Sequence, residues 1–298
     1  MRPEIFDIFA TPGDHQPLVF HGETNQGRWT DGELVAKGPE VRYPVRNGIP
    51  SFVRPDQDAW GDVRTVDREL ERHGGRRAGL IAKNVAAMLD GWGPDQQRYR
   101  WIDRIANRGG LTLEVACGWG GGNAPLILAK DPAARILMND LGYVVLEEWR
   151  QYISDGPQWP GVGLAHFDAT DCPIQTGAVD TVSSSGGIAN IANNGKALRE
   201  AYRILTPGGK LFMSDIDVDP ESFNQLPPPV REQWQREHND LDIGTGYEQR
   251  LRKVGFIVNS IECSRYNLDP QESTLAELGA KHGIKMGVIG YQIEAEKE

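Results

Sequence analysis

Residues 111–122 constrain the fold of this chain more than any other segment. They read L-T-L-E-V-A-C-G-W-G-G-G, an apolar strand that ends at the acidic Glu114 and runs into a glycine-rich turn. A helix-compatible run follows at residues 124–130. Glycine has no Cβ atom, so backbone amides can approach a ligand closely and positive φ angles carry little steric cost. The order strand, glycine turn, helix therefore predicts an α/β protein that binds a nucleotide-like ligand.

From residue 111 onward, strand patterns and helix patterns alternate along the chain. We predict strands at residues 111–116, 135–139, 162–167, 179–185, 209–215, 255–264 and 286–295. We predict helices at residues 121–130, 143–153, 195–204, 229–238, 246–253 and 271–282. This alternation indicates a mostly parallel sheet that is covered by helices on both faces.

The chain divides into three predicted parts. Residues 1–55 contain short strand-like pieces separated by Gly, Pro and Asp turns, which predicts a small β-rich module. Residues 56–108 are polar with helical spacing, and we expect a helical cap or linker there. Its helices are predicted at residues 63–72, 77–89 and 96–108. Residues 109–298 make up the α/β domain.

Charge and cysteine content narrow the classes of function. The net charge is −10 and the pI is about 5.2, which disfavours the broad basic surface that nucleic acids require. The three cysteines lie far apart, so neither a disulfide framework nor a cysteine zinc site is indicated, and a cytoplasmic location fits. The N-terminal residues have no apolar core, and we expect no secretion signal. No apolar run reaches the roughly 20 residues of a membrane helix.

Acidic residues stand at the ends of successive predicted strands. Asp140 ends the second strand, where a carboxylate can accept both hydroxyls of a ribose. Asp168 stands at the tip of the third strand, where its carboxylate can accept the exocyclic amine of an adenine. Ala116, Gly118 and Gly121 together with Asp140 also fit a loose dinucleotide-binding fingerprint. The glycine turn and Asp140 alone therefore leave two classes of cofactor open, and Asp168 is one of the features that separate them.

Further motifs favour one of these classes. A helix pattern at residues 196–209, K-A-L-R-E-A-Y-R-I-L-T-P-G-G, stops at Pro-Gly-Gly before the fifth strand. With this run in place, residues 96–295 resemble the class I S-adenosylmethionine-dependent methyltransferases, and the run is most similar to the ubiquinone/menaquinone-biosynthesis type. If the chain were a nicotinamide dehydrogenase, Asp168 and the Pro-Gly-Gly segment would have no role.

The resemblance implies a fold, a cofactor and a substrate class. The fold is a three-layer, Rossmann-like methyltransferase fold with a seven-stranded, mostly parallel sheet whose last strand is antiparallel. The cofactor is S-adenosylmethionine, with S-adenosylhomocysteine as product. The acceptor that we expect is a small molecule, a metabolite or natural product. Two alternatives remain open, an RNA or protein methyltransferase that selects its substrate with the N-terminal module, and a non-catalytic scaffold.

The RNA alternative depends on basic residues in the predicted cap. They are Arg72, Arg76, Arg77, Lys83, Arg98, Arg100, Arg104 and Arg108. The structural interpretation of this cluster is a solvated helix surface without a role in RNA binding. The acidity of the whole chain favours this interpretation.

The resemblance also implies a set of cofactor-binding residues at the tips of four strands. They are Glu114, Ala116, Cys117, Gly118, Gly120, Asp140, Leu141, Asp168, Ala169, Ser184 and Ser185. The residues of the glycine turn would shape the methionine end of the pocket, and Asp140 would bind the ribose. Leu141, Asp168 and Ala169 would contact the adenine. Ser184 and Ser185 would face the methionine moiety and the acceptor.

A general base is needed if the acceptor must lose a proton during transfer. Asp215, at the tip of the fifth strand, is the first candidate, and His166 and Tyr99 are the others. Each has a structural interpretation as well: a loop acid that caps a helix, a histidine satisfied within the core, and an aromatic ring packed on the sheet. Tyr99 also belongs to an aromatic group, with Trp92 and Trp101, that would suit a flat or cationic acceptor.

The N-terminal module resembles a second family. Residues 42–50, R-Y-P-V-R-N-G-I-P, are similar to the tail of the small zinc-ribbon proteins that include the activator subunit of tRNA and protein methyltransferases. Thr11 stands where the first zinc cysteine would be, and Ala36 lies near the place of another. Zinc needs about four ligands, so we expect no metal. The module is predicted to dock on the catalytic domain, or to act as a lid or a homodimer contact.

Overall fold

A small antiparallel sheet forms the N-terminal part of the molecule. The computed structural model describes residues 5, 7–25, 28–36, 41–54, 77, 79–91, 97–157, 159–191, 193–237, 246–270 and 273–298. The small sheet contains β1 (Leu18–Asn25), β2 (Arg28–Ala36), β3 (Arg42–Arg46) and β4 (Ile49–Pro50), hydrogen-bonded in that order. The predicted helix at residues 63–72 lies outside the described residues.

A second, larger sheet forms the centre of the molecule. Its strands are β5 (Leu111–Glu114), β6 (Arg135–Asp140), β7 (Val162–His166), β8 (Val179–Ser185), β9 (Leu205–Val218), β10 (Ile257–Asn267) and β11 (Gly287–Glu296). Their order is β10-β11-β9-β8-β5-β6-β7, and only β11 runs antiparallel to its neighbours. The predicted seven-stranded, mostly parallel sheet with an antiparallel last strand is confirmed.

Helices cover both faces of this sheet. They are α1 (Leu80–Asp90), α2 (Gln97–Arg108), α3 (Ala124–Lys130), α4 (Tyr143–Asp155), α5 (Asn194–Ile204), α6 (Pro220–Phe223), α7 (Pro228–Glu237), α8 (Tyr247–Val254) and α9 (Thr274–Lys281). Neighbouring residues of β9 point to opposite faces, as strand geometry requires. Phe212 packs with Trp101 of α2, whereas Met213 lies in the cluster that contains Leu198 of α5.

Strand β9 is longer than the sequence predicts. It spans Leu205–Val218, whereas the pattern indicates residues 209–215. Its length follows from two pairings, because β8 pairs along one side and nine residues of β11 pair along the other. Helix α9 lies between β10 and β11, within the helix that the sequence predicts at residues 271–282.

The small sheet is joined to the edge of the large one. Ser51 forms a parallel bridge with His166 of β7, and the Phe52 amide donates to the His166 carbonyl at 2.9 Å. Phe9 forms an antiparallel bridge with Ile174. These contacts place the N-terminal module beside the strand that precedes Asp168.

Thr11 occupies a hydrogen-bonded turn at the place predicted for the first zinc cysteine. Its hydroxyl donates to the carboxylate of Asp14 and accepts from the Gln16 amide at 2.9 Å. Ala36, near the second predicted position, is buried. Among the described residues, no three His, Cys, Asp or Glu side chains are grouped so that they could bind a metal. The relation of this module to zinc ribbons stays a prediction.

Two further expectations concern the cap and the membrane. Trp101 is 1% exposed and packs against Phe212, so its ring belongs to the core. Trp92 and the side chain of Tyr99 lie outside the described residues. Within the part of the chain that the structure describes, every helix is too short or too polar to cross a membrane.

Candidate functional site

A cavity of about 810 Å³ opens at the carboxyl ends of β5, β6 and β8. It is lined by Met88, Ala116, Cys117, Gly118, Trp119, Gly120, Gly122, Asn139, Asp140, Leu141, Val145, Phe167, Asp168, Ala169, Ser185, Gly186, Gly187, Asn190 and Ile191. Most of the cofactor residues that the sequence predicts therefore lie around one space. Its volume falls within the range typical of small-molecule and cofactor sites.

The glycine turn forms one wall of this cavity. A short 3-10 turn over Gly118–Gly120 follows β5, and the Cys117 amide donates to the Asn139 carbonyl at 2.8 Å. Gly118 has a φ of 54°, and a Cβ atom built there would meet no atom within 4 Å. The missing side chain thus leaves open space at the surface of the cavity. The thiol of Cys117 is buried, which raises its pKa well above the usual value, so it is a packing group and not a nucleophile.

Asp140 connects two loops at the floor of the cavity. One carboxylate oxygen accepts from the Gly118 amide at 2.7 Å, and the other accepts from the Gly142 amide at 2.8 Å. The residue is only 9% exposed, and it lines the cavity. A carboxylate has about four lone-pair sites, so it can accept several hydrogen bonds at once.

Ala116 adopts a backbone conformation that favours glycine. Its φ is 51°, in the left-handed region. We expect Ala116→Gly to raise the free energy of unfolding by about 0.5–1 kcal/mol, because relief of the Cβ strain exceeds the entropy that glycine adds to the unfolded chain. Chemical denaturation measures this change. A less stable variant would show that the Ala116 side chain contributes packing that outweighs its strain.

The residues predicted for the adenine end lie around the same cavity. Leu141, Asp168 and Ala169 line the cavity, and one oxygen of Asp168 accepts from the Thr170 amide at 2.8 Å. The second Asp168 oxygen is the one that remains for a ligand amine. Asn139 is a residue that the sequence analysis missed. It is 1% exposed, and its side-chain amide donates to the Phe167 carbonyl at 2.8 Å, which ties β6 to the loop after β7.

Two of the predicted cofactor residues lie behind the cavity wall. The Ser184 hydroxyl is fully buried and donates to the Val115 carbonyl at 3.1 Å, because neighbouring residues of a strand point to opposite faces. Ser185, the next residue, lines the cavity instead. Glu114 is also fully buried, and its carboxyl group packs against Gly122. Both residues shape the wall from behind.

His166 is used within the protein. It is 2% exposed, and its Nε2 lies 3.0 Å from the Leu141 carbonyl, while its Nδ1 lies 2.7 Å from the Ser51 hydroxyl. A carbonyl can only accept, so Nε2 donates and Nδ1 accepts from Ser51. This arrangement supports the structural interpretation of His166, since both nitrogens are occupied away from the cavity.

Asp215 is buried at the end of β9. It is 4% exposed, one oxygen accepts from the Ala189 amide at 2.8 Å, and the other accepts from the Ile216 amide at 2.9 Å. The Tyr247 phenol faces the same carboxylate and lowers its pKa. Burial raises the pKa of Asp215 to about 6, against the opposing effect of these hydrogen bonds and of Arg250.

A second, smaller cavity of about 290 Å³ adjoins the first, and Ser185 and Gly186 line both. Four polar side chains form a row across its floor, since Ser185 pairs with Ser214, Ser214 with Gln292, and Gln292 with Glu262. The Ser214 and Ser185 hydroxyls lie 3.2 Å apart. We call these four residues the polar row. Among the lining residues that the structure describes here, the acids are Asp215 and Glu262, and none is Lys, Arg or His.

The sequence analysis missed the part of the first cavity that follows β8. Gly186, Gly187, Asn190 and Ile191 all line it. The sequence signal for this segment is the Gly-Gly pair at the end of the predicted strand, followed by an Asn before the helix.

Comparison with known proteins supports the resemblance to methyltransferases. A family model described as a methyltransferase domain matches residues 113–213. A ubiquinone/menaquinone biosynthesis C-methyltransferase UbiE from Cereibacter sphaeroides is 27% identical over 197 residues, which cover 64% of this chain and 72% of that protein. The UbiE protein of Paracoccus denitrificans is 32% identical over 133 residues, which cover 45% and 50%.

A solved structure shows the same fold. A Bacillus halodurans protein assigned as a methyltransferase superimposes with a TM-score of 0.51 at 18% identity, and the match covers 69% of this chain and 99% of that protein. At this identity the likeness concerns the fold alone.

Proposed function

Since this chain is an S-adenosylmethionine-dependent methyltransferase, as its methyltransferase domain and its relatives confirm, we propose that it methylates a small molecule bound in the second cavity. The observation that carries the proposal is the shared wall of the two cavities at Ser185 and Gly186. An acceptor on the polar row would lie next to the end of β8, where the methionine part of the cofactor is expected.

The residues around the first cavity fit the cofactor. The open space at Gly118 lets the backbone approach a ligand, and the Asp140 carboxylate in the cavity lining suits ribose hydroxyls. When bound, S-adenosylmethionine supplies a methyl group on a positively charged sulfur that is already activated for transfer. The contribution of the protein is therefore alignment and the exclusion of water. Asp140 orients the ribose, and Asp168 orients the adenine.

The charge of the second cavity favours a neutral or cationic acceptor. Its described lining combines hydroxyl, amide and carboxyl groups, and no cation stands there to bind a phosphate or carboxylate. The UbiE relatives are named as C-methyltransferases of ubiquinone and menaquinone biosynthesis. A neutral ring compound that is methylated at carbon is therefore one acceptor class within the proposal.

The basic residues of the cap give little support to RNA as substrate. Arg77 pairs with Glu148 at 2.6 Å, Arg104 pairs with Glu294, and Arg108 donates to the Gly208 carbonyl at 2.7 Å. Each of these cations is engaged within the chain, which leaves fewer of them for phosphates. Arg72, Arg76 and the side chain of Arg98 lie outside the described residues.

Glu262→Lys is expected to raise the KM of a neutral or cationic acceptor roughly tenfold, because it places a cation at the end of the polar row. S-adenosylhomocysteine affinity should stay unchanged, since Glu262 does not line the first cavity. The matched control is Glu232→Lys, the same change at an exposed position of α7. Steady-state kinetics test both variants once an acceptor is in hand. An unchanged KM would remove Glu262 from the acceptor site.

The acceptor class is tested by transfer of labelled methyl groups to fractionated small-molecule extracts, total RNA and protein in parallel. Label in the small-molecule fraction supports the proposal. Salt-sensitive label in RNA, or label in protein, would favour the alternative substrate class. Binding calorimetry with S-adenosylmethionine, S-adenosylhomocysteine and NAD accompanies this experiment, and binding of NAD alone would overturn the cofactor assignment.

The proposal also includes the organisation of the chain. We propose a β-rich module at residues 1–55 that derives from a zinc ribbon without its metal, a helical cap at residues 56–108 and a catalytic domain at residues 109–298. A cytoplasmic location and a homodimer contact through the module belong to the same proposal. The bridges of Ser51 and Phe9 to the catalytic domain support the docking role of the module.

A further inference from the structure

The segment that connects β8 to α5 forms one wall of the cofactor cavity. Gly186, Gly187, Asn190 and Ile191 line the cavity, and the described part of the segment contains a 3-10 turn over Ile188–Asn190. Gly186 has a φ of 69°, and no atom lies within 4 Å of the place where its Cβ atom would be. A short turn of this kind depends on neighbouring elements to keep its shape. We refer to residues 186–191 as the cavity turn.

We propose that Asp215 is a positioning residue that holds the cavity turn in the shape that binds the cofactor. The inference rests on the cofactor assignment and is independent of the proposed acceptor. It differs from a role as general base, in which Asp215 would contact the reacting group itself.

The first argument is the use of both carboxylate oxygens. One accepts from the Ala189 amide in the middle of the cavity turn at 2.8 Å, and the other accepts from the Ile216 amide on β9 at 2.9 Å. The residue is only 4% exposed. An ionised carboxylate is suited to two N–H donors, because both of its oxygens only accept. An acid proton or an amide NH₂ group would direct a hydrogen at one of these donors.

The second argument is the support that α8 gives to the same region. Tyr247 is 1% exposed, and its phenol faces Asp215 and lowers the pKa of that carboxyl group. Arg250 donates to the side-chain oxygen of Asn194 at 3.2 Å and pairs with Asp217, and its guanidinium lies 4.0 Å from the centre of the Tyr247 ring. Helix α8 thus supports Asp215 on one side of the cavity turn and the first residue of α5 on the other.

The groups around Asp215 determine how it titrates. Tyr247 and Arg250 face it from α8, Asp217 lies on its own strand, and Tyr291 of β11 contacts Tyr247 with ring centres 5.3 Å apart. Burial raises the pKa of Asp215 from 3.8 to about 6, so the carboxylate loses its charge as the pH falls through about 6. We expect one of the two backbone hydrogen bonds to weaken at that point.

The effect on global stability has the opposite sign. A carboxyl group whose pKa is raised in the folded protein binds more protons there than in the unfolded chain, so its contribution to stability increases as the pH falls from about 6 to 3.8. Protonation of Asp215 therefore does not unfold the protein, and a loss of cofactor affinity at low pH that depends on Asp215 needs another cause.

The test is S-adenosylhomocysteine binding by calorimetry between about pH 5 and about pH 8, which needs no acceptor. The wild-type affinity is expected to fall about tenfold as the pH drops through the Asp215 transition, which is the scale of one hydrogen bond to a charged group. Asp215→Asn should bind about tenfold more weakly at neutral pH and lack this step. Glu248→Gln, which makes the same chemical change at an exposed position of α8, should behave like the wild type.

Tyr247→Phe gives a second measurement, which can be made even if the Asp215→Asn variant does not fold. The Tyr247 phenol lowers the pKa of Asp215, so removal of its hydroxyl should move the binding step to higher pH. Wild-type-like binding by Asp215→Asn at every pH, combined with loss of methyl transfer, would overturn the proposal in favour of a general base. A wild-type binding curve without a step, or a Tyr247→Phe step at unchanged pH, would overturn it as well. Failure of S-adenosylhomocysteine to bind the wild type at all would instead contradict the cofactor assignment.

Discussion

Replacement of Asp140 with alanine is expected to lower the affinity for S-adenosylhomocysteine by a factor of about 100 or more. Two effects combine. The variant loses the carboxylate that would accept the ribose hydroxyls, and it releases the Gly118 and Gly142 amides that the carboxylate binds. A hydrogen bond to a charged group is worth about 1.5–3 kcal/mol, so two ribose bonds alone account for such a factor. Isothermal titration calorimetry measures the change directly.

Asp140→Asn separates the two effects only in part. Both carboxylate oxygens accept a backbone amide, so an amide side chain must direct its NH₂ group at one of these donors. We therefore expect the Asn variant to be weakened as well, though less than the alanine variant. Glu147→Gln on α4 is a surface carboxyl change outside the cavity lining, and it should leave the affinity unchanged. Undiminished binding by Asp140→Ala would show that the ribose lies elsewhere.

Replacement of Gly122 with alanine is expected to reduce the free energy of unfolding by roughly 3–5 kcal/mol, or to prevent folding. Gly122 has a φ of 60°, and a Cβ atom there would collide with the carboxyl group of Glu114. Glu114 is fully buried at the end of β5, so its side chain has no solvent to move into. The strain of a left-handed alanine thus adds to the displacement of a buried polar group. Thermal and chemical denaturation measure the loss.

Gly118→Ala is the matched comparison for this variant. Gly118 also has a positive φ of 54°, but no atom lies within 4 Å of its Cβ position. We expect a loss of only about 1–2 kcal/mol from backbone strain, together with weaker cofactor binding because the methyl group enters the cavity. If the two alanine variants lost equal stability, the packing of Glu114 against Gly122 would not be the cause.

The sequence predicted the sheet and most of the cofactor cavity for a clear physical reason. Strand and helix periods are local properties, and the glycine turn with Asp140 and Asp168 stands at fixed places relative to them. Parallel strands bring their carboxyl ends to one edge, so residues far apart in the chain converge there. Leu141 and Ala169 were predicted from the family resemblance, and both line the cavity.

Other features depend on contacts that no local pattern reports. We predicted both Ser184 and Ser185 at the cavity, and only Ser185 lines it, because the alternation of a fully buried strand cannot be read from three successive serines. The environment of Asp215 includes donors from the turn after β8 and from α8, which the chain order separates. The length of β9 depends on its pairing with β11, some 80 residues later in the sequence.

The bridge between Ser51 and His166 has a consequence for the behaviour of fragments. It lies on the outer side of β7, which would otherwise present unpaired amides and carbonyls to other chains. A truncated chain that lacks residues 1–55 would expose the outer edge of β7 together with the apolar residues that Phe9 covers. Such a fragment would tend to self-associate. In the intact chain, the N-terminal segment therefore protects this strand edge against aggregation, whatever its other role.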